Sequence, residues 1–165
     1  MRGLHLAIVG SHQIREDTPE LTTAAVAILS DIHANRQALD AVLRTMRGSP
    51  VMDWWCVGDM VDYGADPIYC ARACISDSAR RISGNHDLSA AGLMKFTNPS
   101  VWVREAAAWT FDALGPALRA ELARIAPSDT DHEVPMFHGS PRNHAWEYVV
   151  SDEVARACLE AVDAR

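Results

Sequence analysis

A chain of 165 residues, 48% hydrophobic and 22% charged, has the composition of one soluble globular domain with a sizeable core. Its formal net charge of -7 and pI near 5.4, with no run of lysine and arginine, argue against a general nucleic-acid or membrane-surface binder; an acidic protein still binds phosphates when metal ions supply local positive charge. No stretch is apolar for long enough to span a membrane as a helix and "LHLAIVG" is a poor signal peptide, so the expected location is cytoplasmic.

Residues 1–23 read as a loosely attached extension, because 11–23 is polar and contains Pro19; the domain proper is expected over 24–165. Residues 25–29 are continuously apolar, as in a strand buried on both faces. Ala38, Leu39, Val42, Leu43 and Met46 recur at helical spacing over 35–46, and Gly48 and Pro50 end that helix. A second strand is read over 54–58. Asp66 and Pro67 look like the N-cap and first-turn proline of a helix running to about 77. A weaker third strand covers 79–83. A long helical region follows Pro99, breaks at Gly115–Pro116 and ends near Pro127. A fourth strand is expected over 133–137, at an edge or irregular position because of Pro135, and a helix over 152–164 closes the chain. Alternation of strands and helices predicts an α/β domain with a mainly parallel sheet. Cys56, Cys70, Cys74 and Cys158 include no CxxC pair, and a domain of this size needs no disulfide staple, so all four read as reduced, buried thiols.

The polar residues collect just past the strands. Asp31 and His33 follow the first, Asp59 and Asp62 the second, Asn85, His86 and Asp87 the third, and His138 the fourth. In an open parallel sheet the carboxyl ends of the strands line one crevice, so the four clusters should meet in space. Each alone has a bland explanation: a carboxylate after a strand commonly caps a helix, and Gly-Asn is a turn dipeptide. Together, carboxylates, imidazoles and an amide oxygen suit divalent ions such as Mn, Fe, Zn or Ni, and no thiolate is present to suggest a structural zinc site. A carboxylate such as Asp59 can bridge two cations, which together clamp a phosphoryl oxygen and activate water. His5, His12 and His132 read as solvated, and Trp146 and Tyr148, near His138, either pack or form a wall against a base or aryl group.

"DIH", "GDMVDYG", "GNHD" and "HGS" resemble the motif series of the calcineurin-like metallophosphoesterase family over about 25–148, most closely in its small bacterial phosphoesterases. That resemblance implies a β-sandwich flanked by helices. It also implies two divalent metal ions: Asp31 and His33 on the first, Asp59 bridging both, Asn85 and His138 on the second. His86 would act as general acid or phosphate contact beside Asn85, with Asp62 orienting it. The implied reaction is hydrolysis of a small phosphate monoester or diester, or of a nucleotide-like substrate, by a metal-bridging hydroxide.

Two departures from the family pattern stand out. Tyr63 occupies the place of the arginine found in members that act as protein phosphatases, which favours a diester or nucleotide-like substrate over a phosphoprotein. The sequence also contains no Gly-His-x-His, the motif that supplies each metal with a further histidine in the family. The sandwich is therefore expected to be incomplete at the C-terminus, either because the chain is a fragment or because a partner copy in a homo-oligomer completes it. The alternative function is a truncated, non-catalytic metal- or nucleotide-binding remnant.

Overall fold

The computed structural model describes residues 5–9 and 25–163. His5–Val9 (β1) pairs antiparallel with Ala25–Ser30 (β2), in the register His5 to Ser30 and Val9 to Val26. Five residues of the segment expected to be a loose extension thus form an edge strand; the rest of it, 1–4 and 10–23, lies outside the described residues. β2 pairs parallel with Val51–Val57 (β3), and β3 pairs parallel with Arg80–Ile82 (β4). The sheet order is β1-β2-β3-β4, so the three parallel strands β2, β3 and β4 lie side by side and end together at one rim.

The helices begin and end where local chemistry says they should. Arg36–Met46 (α1) is capped by Asn35, whose Oδ1 accepts the Ala38 N–H at 3.0 Å. Pro67–Asp77 (α2) starts on a proline; Asp66 occupies the cap position but its carboxylate makes no cap bond. Asn85–Ala90 (α3) was not anticipated: the "GNHD" segment, read as a polar cluster past the third strand with a turn as its bland alternative, opens a short helix. Val101–Leu122 (α4) kinks at Gly115, where φ is 65° and ψ 168°, as the Gly-Pro pair implies. Asp152–Asp163 (α5) follows the expected bounds closely. Among the described residues no helix is long and apolar enough to cross a membrane.

Alternation along the strands divides the core. Ala27 and Leu29 on β2, with Trp54 and Cys56 on β3, face Leu39 of α1, Cys70 and Cys74 of α2 and Leu114, Leu118 and Leu122 of α4 in one buried cluster. All four cysteines are free and buried, as the sequence implied, and burial pushes the Cys70 thiol up to about 12. Ile28, Trp55 and Val57 point to the opposite face. There a cavity of about 310 Å³ lies between them and the residues Val134, Met136 and Phe137.

The fourth expected strand shrinks to Met136–Phe137 (β6), and it does not join the parallel sheet. It pairs antiparallel with Ser128–Asp129 (β5) in a separate two-stranded ribbon. Pro135 lacks the N–H that a longer ladder would need. Arg80 fastens the ribbon to the main sheet: Nε and Nη2 donate to Asp129 Oδ2 at 2.9 and 2.7 Å, and Nη2 donates to Val134 O at 3.0 Å. The result is a mixed α/β fold whose parallel strands are flanked by helices.

Candidate metal centre

The loops leaving β2 and β3 run beside each other and extend the parallel ladder past the strands. Asp31 N–H donates to Gly58 O (3.2 Å), His33 N–H to Asp59 O (2.9 Å) and Ala34 N–H to Met60 O (3.0 Å). Six residues here sit at positive φ: Asp31 (57°), His33 (47°), Ala34 (54°), Asp59 (53°), Asp62 (77°) and Tyr63 (64°). Left-handed backbone costs L-residues roughly 1–2 kcal/mol each, so it persists only where the surroundings hold it. Here the cross-loop hydrogen bonds do so, and the left-handed steps turn successive polar side chains toward one point above the sheet.

At that point the donor atoms lie within a few ångströms of one another. His33 Nε2 is 3.7 Å from Asp31 Oδ1 and 3.6 Å from Asp59 Oδ2. His138 Nε2 is 3.4 Å from the same Asp59 Oδ2 and 3.1 Å from Asn85 Oδ1. Ligands held at about 2.1 Å around one tetrahedral ion lie about 3.4 Å apart, so the donor atoms are spaced as a divalent cation would need. The imidazoles are also set up to ligate. His33 Nδ1 lies 3.2 Å from Val61 O and His138 Nδ1 2.8 Å from Val57 O. Each Nδ1–H is thereby committed to a backbone carbonyl, which leaves the Nε2 lone pair facing the cluster.

Electrostatics follow from this packing. Burial penalises the Asp59 charge, but His138, His86 and His33 around it outweigh that penalty and hold its carboxyl below the usual range. Burial works against a charged His138 too, yet the Asp59 carboxylate raises it to about 9. A cation entering this cluster must displace that proton.

A second layer of contacts fixes His86 and Asp87. His86 Nδ1–H donates to Asp62 Oδ2 at 2.7 Å, and the His86 N–H donates to Asp59 Oδ1 at 3.0 Å. Asp62 Oδ1 also receives Tyr63 N–H at 2.8 Å and Thr110 Oγ1–H at 3.4 Å. Asp87 accepts from Met60 N and Val61 N on Oδ1 (2.9 and 3.2 Å) and from Gly84 N on Oδ2 (2.9 Å), tying the loop after β3 to the start of α3. Burial, and then the charge on Asp59, push the Asp87 carboxyl up to about 7. Asp87→Asn keeps the shape but turns an amide N–H₂ toward one of these backbone donors. It is expected to cost about 2 kcal/mol, read as a fall in thermal midpoint of about 4–8 °C; an unchanged midpoint would mean that the tie carries no stability.

The sequence-selected residues are thus brought together: Asp31, His33, Asp59, Asn85 and His138 by their donor atoms, His86 and Asp62 beside them. His138 arrives from the end of β6 in the second ribbon rather than from the parallel sheet. His86, expected as general acid or phosphate contact, also lies among the donors: His33, Asp59 and His86 each offer a ligand atom within 4.8 Å of the others. Ser30, whose Oγ–H donates to Asp31 Oδ2 at 2.7 Å, and Thr110 were not singled out in the sequence. Thr110 sits on an apolar helix face, where a buried hydroxyl is the one hint. Phe96, in ring contact with His86, carries no local signal at all.

Known proteins resemble this chain in sequence and fold. The family model of the calcineurin-like phosphoesterases matches residues 24–157. A metallophosphoesterase crystal structure from Sphaerobacter thermophilus is 32% identical, with a TM-score of 0.71 over 82% of this chain and 55% of that one. Uncharacterized protein MJ0912 of Methanocaldococcus jannaschii is 27% identical over 139 residues, which are 81% of this chain and 57% of MJ0912. A symmetrical bis(5'-nucleosyl)-tetraphosphatase of Chromohalobacter salexigens is 39% identical over 71 residues, 41% of this chain and 25% of that enzyme. The chain therefore spans little more than half the length of MJ0912 and a quarter of the tetraphosphatase. With the family model covering most of its length and its motif residues gathered at one rim, the chain belongs to the calcineurin-like phosphoesterase family.

Proposed function

We propose that this chain carries the cation-holding and proton-donating groups of a divalent-metal-dependent phosphoesterase that hydrolyses small phosphate monoesters or diesters, nucleotide-like ones included. The observation that carries the reading is Asp59 Oδ2, set between His33 Nε2 at 3.6 Å and His138 Nε2 at 3.4 Å. In this assignment Asp31 and His33 would hold one cation and Asn85 and His138 a second, with Asp59 within reach of each. Bound divalent cations would supply the charge that polarises phosphoryl oxygens and acidifies water. Asn85 and His86 border the place of the phosphate. His86 releases a proton from Nε2 to the departing oxygen, while Asp62 on Nδ1 keeps the ring oriented. The partial likeness to a dinucleotide tetraphosphatase favours a nucleotide-like substrate. In a second reading the same closely spaced donors bind metal or nucleotide without turnover.

Elemental analysis of the purified protein, paired with bis(p-nitrophenyl) phosphate and p-nitrophenyl phosphate as substrates, separates these. The expected result is bound transition metal, with hydrolysis lost on chelation and restored by Mn. Metal without hydrolysis of either ester would move the protein to the second reading, and absence of metal uptake would sink both.

A further inference from the structure

We infer that Phe96 and Trp146 form a stacking subsite beside the metal centre, so that the organic group of the substrate is a flat aromatic ring, such as a nucleobase. This rests on the phosphoesterase reading only in naming the ligand a phosphate ester. The rings form a continuous row that starts inside the donor cluster. His33 and Tyr63 have centroids 4.7 Å apart, Tyr63 and His86 4.7 Å, His86 and Phe96 4.8 Å, and Phe96 and Trp146 5.7 Å. They come from five separate places in the chain: the loop after β2, the loop after β3, helix α3, the α3–α4 loop, and the loop after β6.

The outer end of the row is shaped to take a ring. Phe96 and Trp146 meet at 86°, which makes a corner where a flat group can lie against one face and present its edge to the other. Trp146 is held in place without being covered. Its Nε1–H donates to Met94 Sδ at 3.0 Å and its backbone N–H to Asn143 Oδ1 at 3.1 Å, yet 38% of the residue remains exposed. The loop that carries it is braced by Gly139 N–H to His144 O (2.6 Å) and Ser140 N–H to Asn143 O (3.0 Å). Exposure is 53% at Tyr63, drops to 7% at His86 in the middle of the row and rises again to 38% at Trp146 at its outer end. A packing cluster would bury its largest ring most; here the largest ring stays open next to the polar centre. Stacking on an aromatic face is sequence-tolerant and strong enough to select for a base.

Calorimetric titration of the full chain with adenosine 5′-monophosphate and with ribose 5-phosphate tests this, because the two ligands share the phosphate and differ by the base. The nucleotide is expected to bind about tenfold more tightly, the lower-middle range for one stacked base, and Trp146→Ala to remove most of that ratio. Phe96→Leu, which keeps bulk at the half-buried position, should do the same if Trp146→Ala perturbs its loop. Equal affinities in the unaltered protein, no binding of either ligand, or a preference that survives both substitutions would overturn the subsite. A base preference in a protein that hydrolyses no ester would leave the subsite standing and remove only the phosphoesterase reading.

Discussion

Asp59→Asn is expected to lower phosphoester hydrolysis by about a thousandfold, about 4 kcal/mol of transition-state stabilisation, and to strip bound metal in parallel. The side chain is 3% exposed and both its oxygens are engaged. Oδ1 accepts the His86 N–H, and Oδ2 faces His33 Nε2 and His138 Nε2. An amide cannot serve both sides. With its oxygen toward His86 it points N–H donors at two imidazole lone pairs and at the place of the cations; turned over, it opposes the His86 N–H. The buried negative charge is lost in either orientation. A readout in metal-free protein is independent of turnover. Because the Asp59 carboxylate raises His138 to about 9 against the pull of burial, Asp59→Asn should bring His138 down toward its ordinary range, measurable by NMR titration of the ring protons. Activity within tenfold of the unaltered protein, with full metal content, would remove Asp59 from its assigned place.

Gly84→Ala should be nearly as damaging, though the residue carries no chemistry. Gly84 has φ -90° and ψ 179°, a conformation open to any residue, so backbone strain is not the issue. Space is. A Cβ there would overlap the Asp59 carboxylate and lie 2.5 Å from the Asp59 backbone nitrogen, which cannot yield. On the other side Gly58, at φ +90°, packs its own open face on Gly84 N and His138 Nδ1. The two glycines are what lets the loops after β3 and β4 touch and so brings Asp59, Asn85 and His138 within ligand distance. Overpacking of this kind costs about 3 kcal/mol, and relief by moving Asp59 would carry it away from both histidines. Thermal unfolding and metal content should fall together. A stable variant with intact metal binding would show that the loops can separate without consequence for the centre.

Several features were legible in the sequence because local physics decides them. The helix starting after Asn35 and the one starting at Pro67 follow from spacing and capping chemistry, and the strand at 25–30 from the apolar run 25–29, although only its alternate residues Ala27 and Leu29 are fully buried. Others were not. The antiparallel pairing of β1 with β2 depends on a distant edge being available, which no local pattern encodes. β6 left the parallel sheet because Pro135 and its pairing with β5 outweighed an apolar run too short to specify a partner. α3 opens on Gly-Asn because Asp87 accepts the Gly84 N–H and closes the first turn, a contact that requires the segment to be folded already.

For the centre itself the division is between identity and distance. The residue types and their order at successive strand ends singled out Asp31, His33, Asp59 and Asn85, because parallel strands deliver their carboxyl ends to one rim, and the family resemblance implied their ligand roles; His138 reaches the same rim from the separate β5–β6 ribbon. That Asp59 stands between two imidazoles whose Nδ1–H groups are already spent on carbonyls, that Thr110 supports Asp62 from another helix, and that Phe96 and Trp146 extend the site as a row of rings, required the tertiary structure. Each of those facts is a separation of a few ångströms between residues tens of positions apart. Such separations are set by how helices and loops pack on the sheet, and packing is a property of the whole chain rather than of any segment.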